Sequence, residues 1–169
     1  AATGGSTLRD GLFLQQKPPV LTDAWYIVMT ALATISVGFF RDRIAHMKLV
    51  DRVINLIDAV GVPAFAVIGM QLSLAAAVPL PGVVLIGMVN GFGGGILRDL
   101  MVGDTPVALK PGTFYVSAAF LACLLFVGLV AGLGVNNSVA AWSTIALFVL
   151  IRVLSLRYDW RTQPILPPG

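Results

Sequence analysis

Two seven-residue stretches hold the side chains best suited to acting on an ion inside an apolar chain. Gly4-Gly5-Ser6-Thr7-Leu8-Arg9-Asp10 and Gly93-Gly94-Gly95-Ile96-Leu97-Arg98-Asp99 share the pattern Gly-Gly-x-x-Leu-Arg-Asp at an offset of 89 residues. Trp25-Tyr26 and Phe114-Tyr115 match at the same offset, so two separate similarities fall in one register. Adjacent glycines weaken a helix by about 1 kcal/mol each relative to alanine. Backbone freed in this way within lipid must line water or be buried in protein. A break at Gly93-Gly94-Gly95 would set a helix carbonyl end, suited to a cation, beside an amide end, suited to an anion. The alternative is close packing, because Gly87, Gly91 and Gly95 also form a Gly-xxx-Gly-xxx-Gly face.

Arg98 and Asp99 follow the second glycine run. Counted from Val83, Arg98 stands about 23 Å along a hydrocarbon core roughly 30 Å thick. It can snorkel to the interface, or it needs a partner at a deeper position. An arginine repels cations, so Arg98–Asp99 and its counterpart Arg9–Asp10 read as structural or gating ion pairs and not as ligands of a permeant ion. Asn90, just before the glycines, is the polar candidate for lining an aqueous path. Gln71 reads as a helix-bridging amide, and Asp58 as an interfacial helix-start carboxylate or a pore ligand. Gly128 and Gly132 form one more small-residue pair, for a contact within or between subunits. Nucleophilic or metal chemistry finds little support. Cys123 is the sole cysteine, which excludes an intramolecular disulfide. His46 is the sole histidine and lies in a basic stretch, and no cofactor is expected.

These residues must be positioned by membrane helices. Of the 169 residues, 57% are hydrophobic and 11% charged, with a mean hydropathy of +0.91. A soluble domain carries about 25% charged residues, so the surface here is built for a lipid bilayer. Apolar runs long enough to span, or nearly so, cover Ala24–Phe40, Leu56–Val78, Val83–Leu97, Phe114–Leu133 and Val139–Leu156. The net charge of +3 does not signal nucleic acid, since the basic residues sit in short stretches between apolar runs. Nine of the eleven fall in Arg41–Arg52, in Arg98 and Lys110, and in Arg152, Arg157 and Arg161. By the positive-inside rule these regions and the C-terminus are cytoplasmic, in a multi-pass protein of the bacterial inner membrane.

Three spans separate the two motif copies, so the copies point in opposite directions, as in inverted-repeat transport proteins. The expected class is therefore an all-α membrane protein of two inverted three-helix units plus a final helix. Seven spans are expected for the complete pattern and about five and a half are present, the first and half of the second being absent before Gly4. The organisation reads as 1–40, the remainder of the first repeat; 41–53, a basic cytoplasmic linker; 54–133, the second repeat; 139–160, the final span; and 161–169, a tail.

The doubled motif, each copy followed by an aromatic-headed helix, resembles the prokaryotic branch of the trimeric intracellular cation (TRIC) channel family. Asn55–Gly61 with Phe65–Gly69 is similar to that family's fourth helix, and Arg152–Arg161 to the close of its seventh. The resemblance implies a homotrimer in which each protomer has its own pore for monovalent cations, chiefly potassium, with lipid as a possible bound molecule. The same family is also labelled a glycine transporter, which makes a secondary transporter of a small neutral amino acid the alternative. A membrane enzyme is not expected.

Overall fold

A computed structural model of the chain describes residues 3–44, 48–106, 108 and 115–158. The side chains of residues 37–38, 40–44, 48–56, 58 and 156 lie outside this description. Among the described residues every regular element is helical. A short helix α1 (Gly4–Leu8) runs into a π-helical segment, Arg9–Leu14, which ends at the left-handed Gln15 (φ 50°). Pro19, whose ring presets helical φ, opens α2 (Pro19–Thr22). The Asp23 side chain then accepts a hydrogen bond from the Trp25 amide at the start of α3 (Ala24–Ile44).

Four helices form the packed body: α4 (Lys48–Ala75), α5 (Leu80–Met101), α6 (Tyr115–Val127, continuing as a π-helical segment Gly128–Gly132) and α7 (Asn137–Arg157). Asn136 caps α7 by accepting from the Ser138 amide at 2.8 Å. The stretches Leu80–Met101, Tyr115–Gly132 and Asn137–Ser155 are long and apolar enough to cross a membrane. Shorter apolar stretches lie in α3 and α4.

Small residues set how closely these helices approach. In lipid, apolar side chains gain little by leaving an already apolar solvent, so packing depends on shape. A Cβ built on Gly91 would stand 3.0 Å from the Val62 carbonyl oxygen of α4, and one on Gly87 would meet Met70. The core then fills with Ala66, Val67 and Met70 of α4, Val83 and Val84 of α5, Cys123 and Phe126 of α6, and Ala140 of α7.

The two repeat-related helices α3 and α6 differ in burial. Tyr115, Ala119 and Cys123 of α6 are buried against its neighbours, whereas their counterparts Tyr26, Thr30 and Thr34 in α3 are exposed. The cause is neighbourhood: α6 packs on α4, α5 and α7, while α3 packs chiefly on α2.

Two expectations are corrected here. The basic stretch 41–53 is not a loop over its described backbone, because α3 continues to Ile44 and α4 begins at Lys48. Lys and Arg are good helix formers, and their long stems let a helix run on into the interface. Asp58 consequently lies about three turns into α4 and not at a helix start, and its side chain is outside the described residues.

Candidate functional site

The two copies of the glycine motif cross each other. A Cβ on Gly4 would stand 2.9 Å from the Gly94 Cα, and one on Gly93 would stand 3.9 Å from the Gly5 Cα. In the 89-residue register Gly4 corresponds to Gly93 and Gly5 to Gly94. The contact Gly4–Gly94 therefore has Gly93–Gly5 as its counterpart, so each copy meets the other in the same way. A Cβ on Gly5 would also collide with the backbone carbonyl oxygen of Asn90, and one on Gly93 would stand 3.1 Å from a Leu8 methyl. Only glycine permits this approach of α1 to α5.

Of the two readings of Gly93-Gly94-Gly95, the break is absent, since α5 is α-helical without interruption from Leu80 to Met101. The space left by the missing side chains is taken up by α1, and a helix flanked by α1 and α4 keeps its hydrogen-bond ladder. Gly95 is the exception in that run, with nothing within 4 Å of a Cβ placed on it. Backbone irregularity begins instead at the end of the first copy, where Arg9–Leu14 is π-helical. There Asp10 is followed by Gly11, where the second copy has Leu100. Short π segments are frequent at functional sites.

Arg9 and Asp10 lie beside the crossing and are 5% and 3% exposed. Arg9 donates from Nε to Asp10 Oδ1 at 2.6 Å and from Nη2 to Oδ2 at 2.7 Å, a two-pronged ion pair. Its third nitrogen, Nη1, points at Asn90 Oδ1 in a longer contact of 3.4 Å. The Asn90 amide donates in turn from Nδ2 to the Phe65 carbonyl of α4 at 2.5 Å. Asn90 is itself 3% exposed and closely held, because a Cβ on Gly69 would lie 2.7 Å from the Asn90 Cβ. One carboxamide thus ties the segment Arg9–Leu14, α5 and α4 together. Ionised groups away from water are costly unless paired and hydrogen-bonded, and here the guanidinium is paired and each of its three nitrogens has a partner.

The second pair is built differently. Arg98 donates from Nε and Nη2 to a single oxygen, Asp99 Oδ1, at 2.8 and 2.7 Å. The Arg98 side chain is 56% exposed, that of Asp99 10%. Of the candidate residues, Gly4, Gly5, Gly93, Gly94, Asn90, Arg9 and Asp10 converge at the crossing, whereas Arg98 and Asp99 stand near the end of α5.

Sequence reasoning missed two features. Phe65 and Gly69 join the site through a backbone carbonyl and a missing side chain, neither of which residue type reveals. The Arg152 guanidinium lies 5.1 Å from the centre of the Tyr115 ring, which also packs edge-on against Phe148 and at a tilt against Phe92. A usable signal existed, since Arg152 lies within the apolar run Val139–Leu156 and so calls for a partner. A Cβ on Gly128 or Gly132 would meet nothing within 4 Å among the described residues. Among the described residues no group of His, Cys, Asp and Glu is arranged to hold a metal ion.

A family model described as a glycine transporter matches residues 55–131. The UPF0126 membrane protein YvgT of Bacillus subtilis is 31% identical over 161 residues, covering 95% of this chain and 76% of that protein. The solved TRIC trimeric intracellular cation channel orthologue of Rhodobacter sphaeroides is 28% identical, with a TM-score of 0.80 over 92% of this chain and 78% of that one. A further TRIC cation channel, solved to explain conductance, shares the fold at a TM-score of 0.85 and 22% identity, over 98% of this chain and 79% of its own. This chain of apolar helices, with its crossed glycine motifs, is an integral membrane protein of the UPF0126 family, the prokaryotic branch of the TRIC family.

Proposed function

We propose that the protein conducts monovalent cations, chiefly potassium, passively through a path within each protomer of a homotrimer. The observation carrying this reading is the crossing of α1 and α5 at their glycines, with a neutralised Arg9–Asp10 pair beside it. Two motif copies separated by three spans point in opposite directions, and inverted repeats of this kind place transport sites at their interface near the membrane midplane. A lone guanidinium there would repel cations. Paired two-pronged with a carboxylate, it leaves the crossing without net charge while keeping polar groups in an otherwise apolar body. Arg98, half exposed and held by one carboxylate oxygen, is the pair able to open and reclose as a gate. The resemblance to solved TRIC cation channels supports the same reading.

The second reading is a carrier of a small neutral amino acid, favoured by the family model described as a glycine transporter over residues 55–131. The two are separated in proteoliposomes by measuring potassium flux and radiolabelled glycine uptake in one preparation. Rapid potassium flux without saturable glycine uptake is expected. Saturable glycine uptake with potassium flux no greater than in protein-free vesicles would reverse the assignment.

A further inference from the structure

Pro63 stands inside α4, and its ring is fully buried. Proline carries no amide hydrogen, so the Ala59 carbonyl, one turn earlier, loses the donor that an unbroken helix ladder would give it. Ala59, Val62 and Ala66 share one face of α4, and the carbonyls of the latter two are turned to α5. A Cβ on Gly91 would stand 3.0 Å from the Val62 carbonyl oxygen, and one on Gly87 would stand 3.2 Å from that of Ala66.

These contacts also fix the direction of the two helices. Gly87 lies beside Met70 and Ala66, and Gly91 beside Ala66 and Val62, so α4 and α5 run antiparallel. The next glycine of the stripe, Gly95, comes one turn further along α5 and pairs by the same progression with the turn of α4 that holds Ala59. There a Cβ would meet nothing within 4 Å among the described residues. The glycine stripe is thus in contact with α4 at Gly87 and Gly91 and leaves space at Gly95. The carbonyl released by Pro63 and this space fall on one level, next to Gly94, which Gly4 meets at the crossing.

We infer that the Ala59 carbonyl oxygen is a ligand for a monovalent cation beside Gly95, and that Pro63 is the residue that frees it. The inference deepens the cation-channel reading and rests on it. Inside lipid a backbone carbonyl must be satisfied by protein, water or an ion. Without its helical donor it keeps its dipole for a ligand, and carbonyls of this kind replace water around a desolvating cation. The missing side chain at Gly95 leaves room for the ion and its remaining waters.

The test restores the amide at position 63. Pro63→Ala and Pro63→Val both do so, and valine also fills the space of the buried ring. Unitary conductance is recorded in planar bilayers over a series of potassium concentrations. Both variants are expected to raise the half-saturating concentration at least threefold, by similar factors. Native half-saturation in both overturns the inference, even where maximal conductance falls, because a change of shape alone would have that effect. A shift in Pro63→Ala that Pro63→Val repairs also overturns it, since packing of the ring would then be the cause. If Pro63→Ala does not fold, Pro63→Val carries the expectation.

A second measurement needs no current. Replacing N-methyl-D-glucamine chloride by about 0.3 M potassium chloride should raise the unfolding temperature of the purified native protein by about 2 °C, as a weak ligand does. Pro63→Val should lose at least half of that rise. An equal rise in both proteins, or none in the native one, overturns the inference. A native protein that passes no unitary current defeats the channel reading, and the potassium-dependent rise still decides the site on its own.

Discussion

Replacing Gly5 by alanine puts one methyl group where, among the described glycines, a neighbouring backbone stands closest. A Cβ there stands 3.1 Å from the Asn90 carbonyl carbon, 3.3 Å from its Cα, and closer still to its carbonyl oxygen. Carbon atoms settle about 3.5–4.0 Å apart, so α1 must retreat from α5 by several tenths of an ångström at least. The obstacle is backbone and cannot turn aside as a flexible side chain would. Overpacking of this kind costs about 1–3 kcal/mol. Alanine's better helix propensity returns up to about 1 kcal/mol, and the five-residue α1 gains only part of that. The expected net loss is about 1–2 kcal/mol, or about 2–8 °C in unfolding temperature. Gly95→Ala is the matched control, because its Cβ meets nothing within 4 Å and it should gain up to about 1 kcal/mol. Both variants are compared by thermal unfolding in one detergent, followed by intrinsic fluorescence. A Gly5→Ala protein as stable as Gly95→Ala would refute the close crossing of the two motifs.

Asp10→Asn should destabilise the protein by about 3–5 kcal/mol in chemical unfolding, since it strands the buried Arg9 guanidinium. Arg98→Gln, which removes a half-exposed guanidinium, should cost less than Asp10→Asn in the same assay. Arg152→Gln removes the cation over the Tyr115 ring and should cost about 0.5–2 kcal/mol, with Arg152→Lys keeping part of it. Gly128→Leu should leave the protomer's unfolding temperature undiminished, because Gly128 is exposed and a Cβ there meets nothing within 4 Å among the described residues. If that face forms part of a trimer contact, the variant shifts the assembly toward monomer in light scattering.

The helical membrane fold was legible because lipid tolerates few charges and requires long apolar runs, both visible in composition and spacing. The doubled motif was legible because its glycines, arginine and aspartate recur in one register. What the glycines do was not. A break and a close crossing both need small residues, and only the approach of Gly4 to Gly94 and of Gly5 to Asn90 distinguishes them. Asn90 was recognisable as polar within a span. Its commitment to Arg9 and to the Phe65 carbonyl depends on α4 and α1 meeting α5 at one level, which no local pattern encodes. The unequal burial of Arg9 and Arg98 escaped for a related reason, since identical motifs take their exposure from their neighbours. The helical extensions to Ile44 and from Lys48 were hidden because charge clusters mark loops and helix ends alike.

The central claim, passive cation conduction, is tested most directly by recording from the purified protein in a planar bilayer under a potassium chloride gradient. The account predicts unitary currents that reverse near the potassium equilibrium potential. Currents reversing near the chloride potential would contradict it, as would a silent bilayer from protein shown to be folded and inserted.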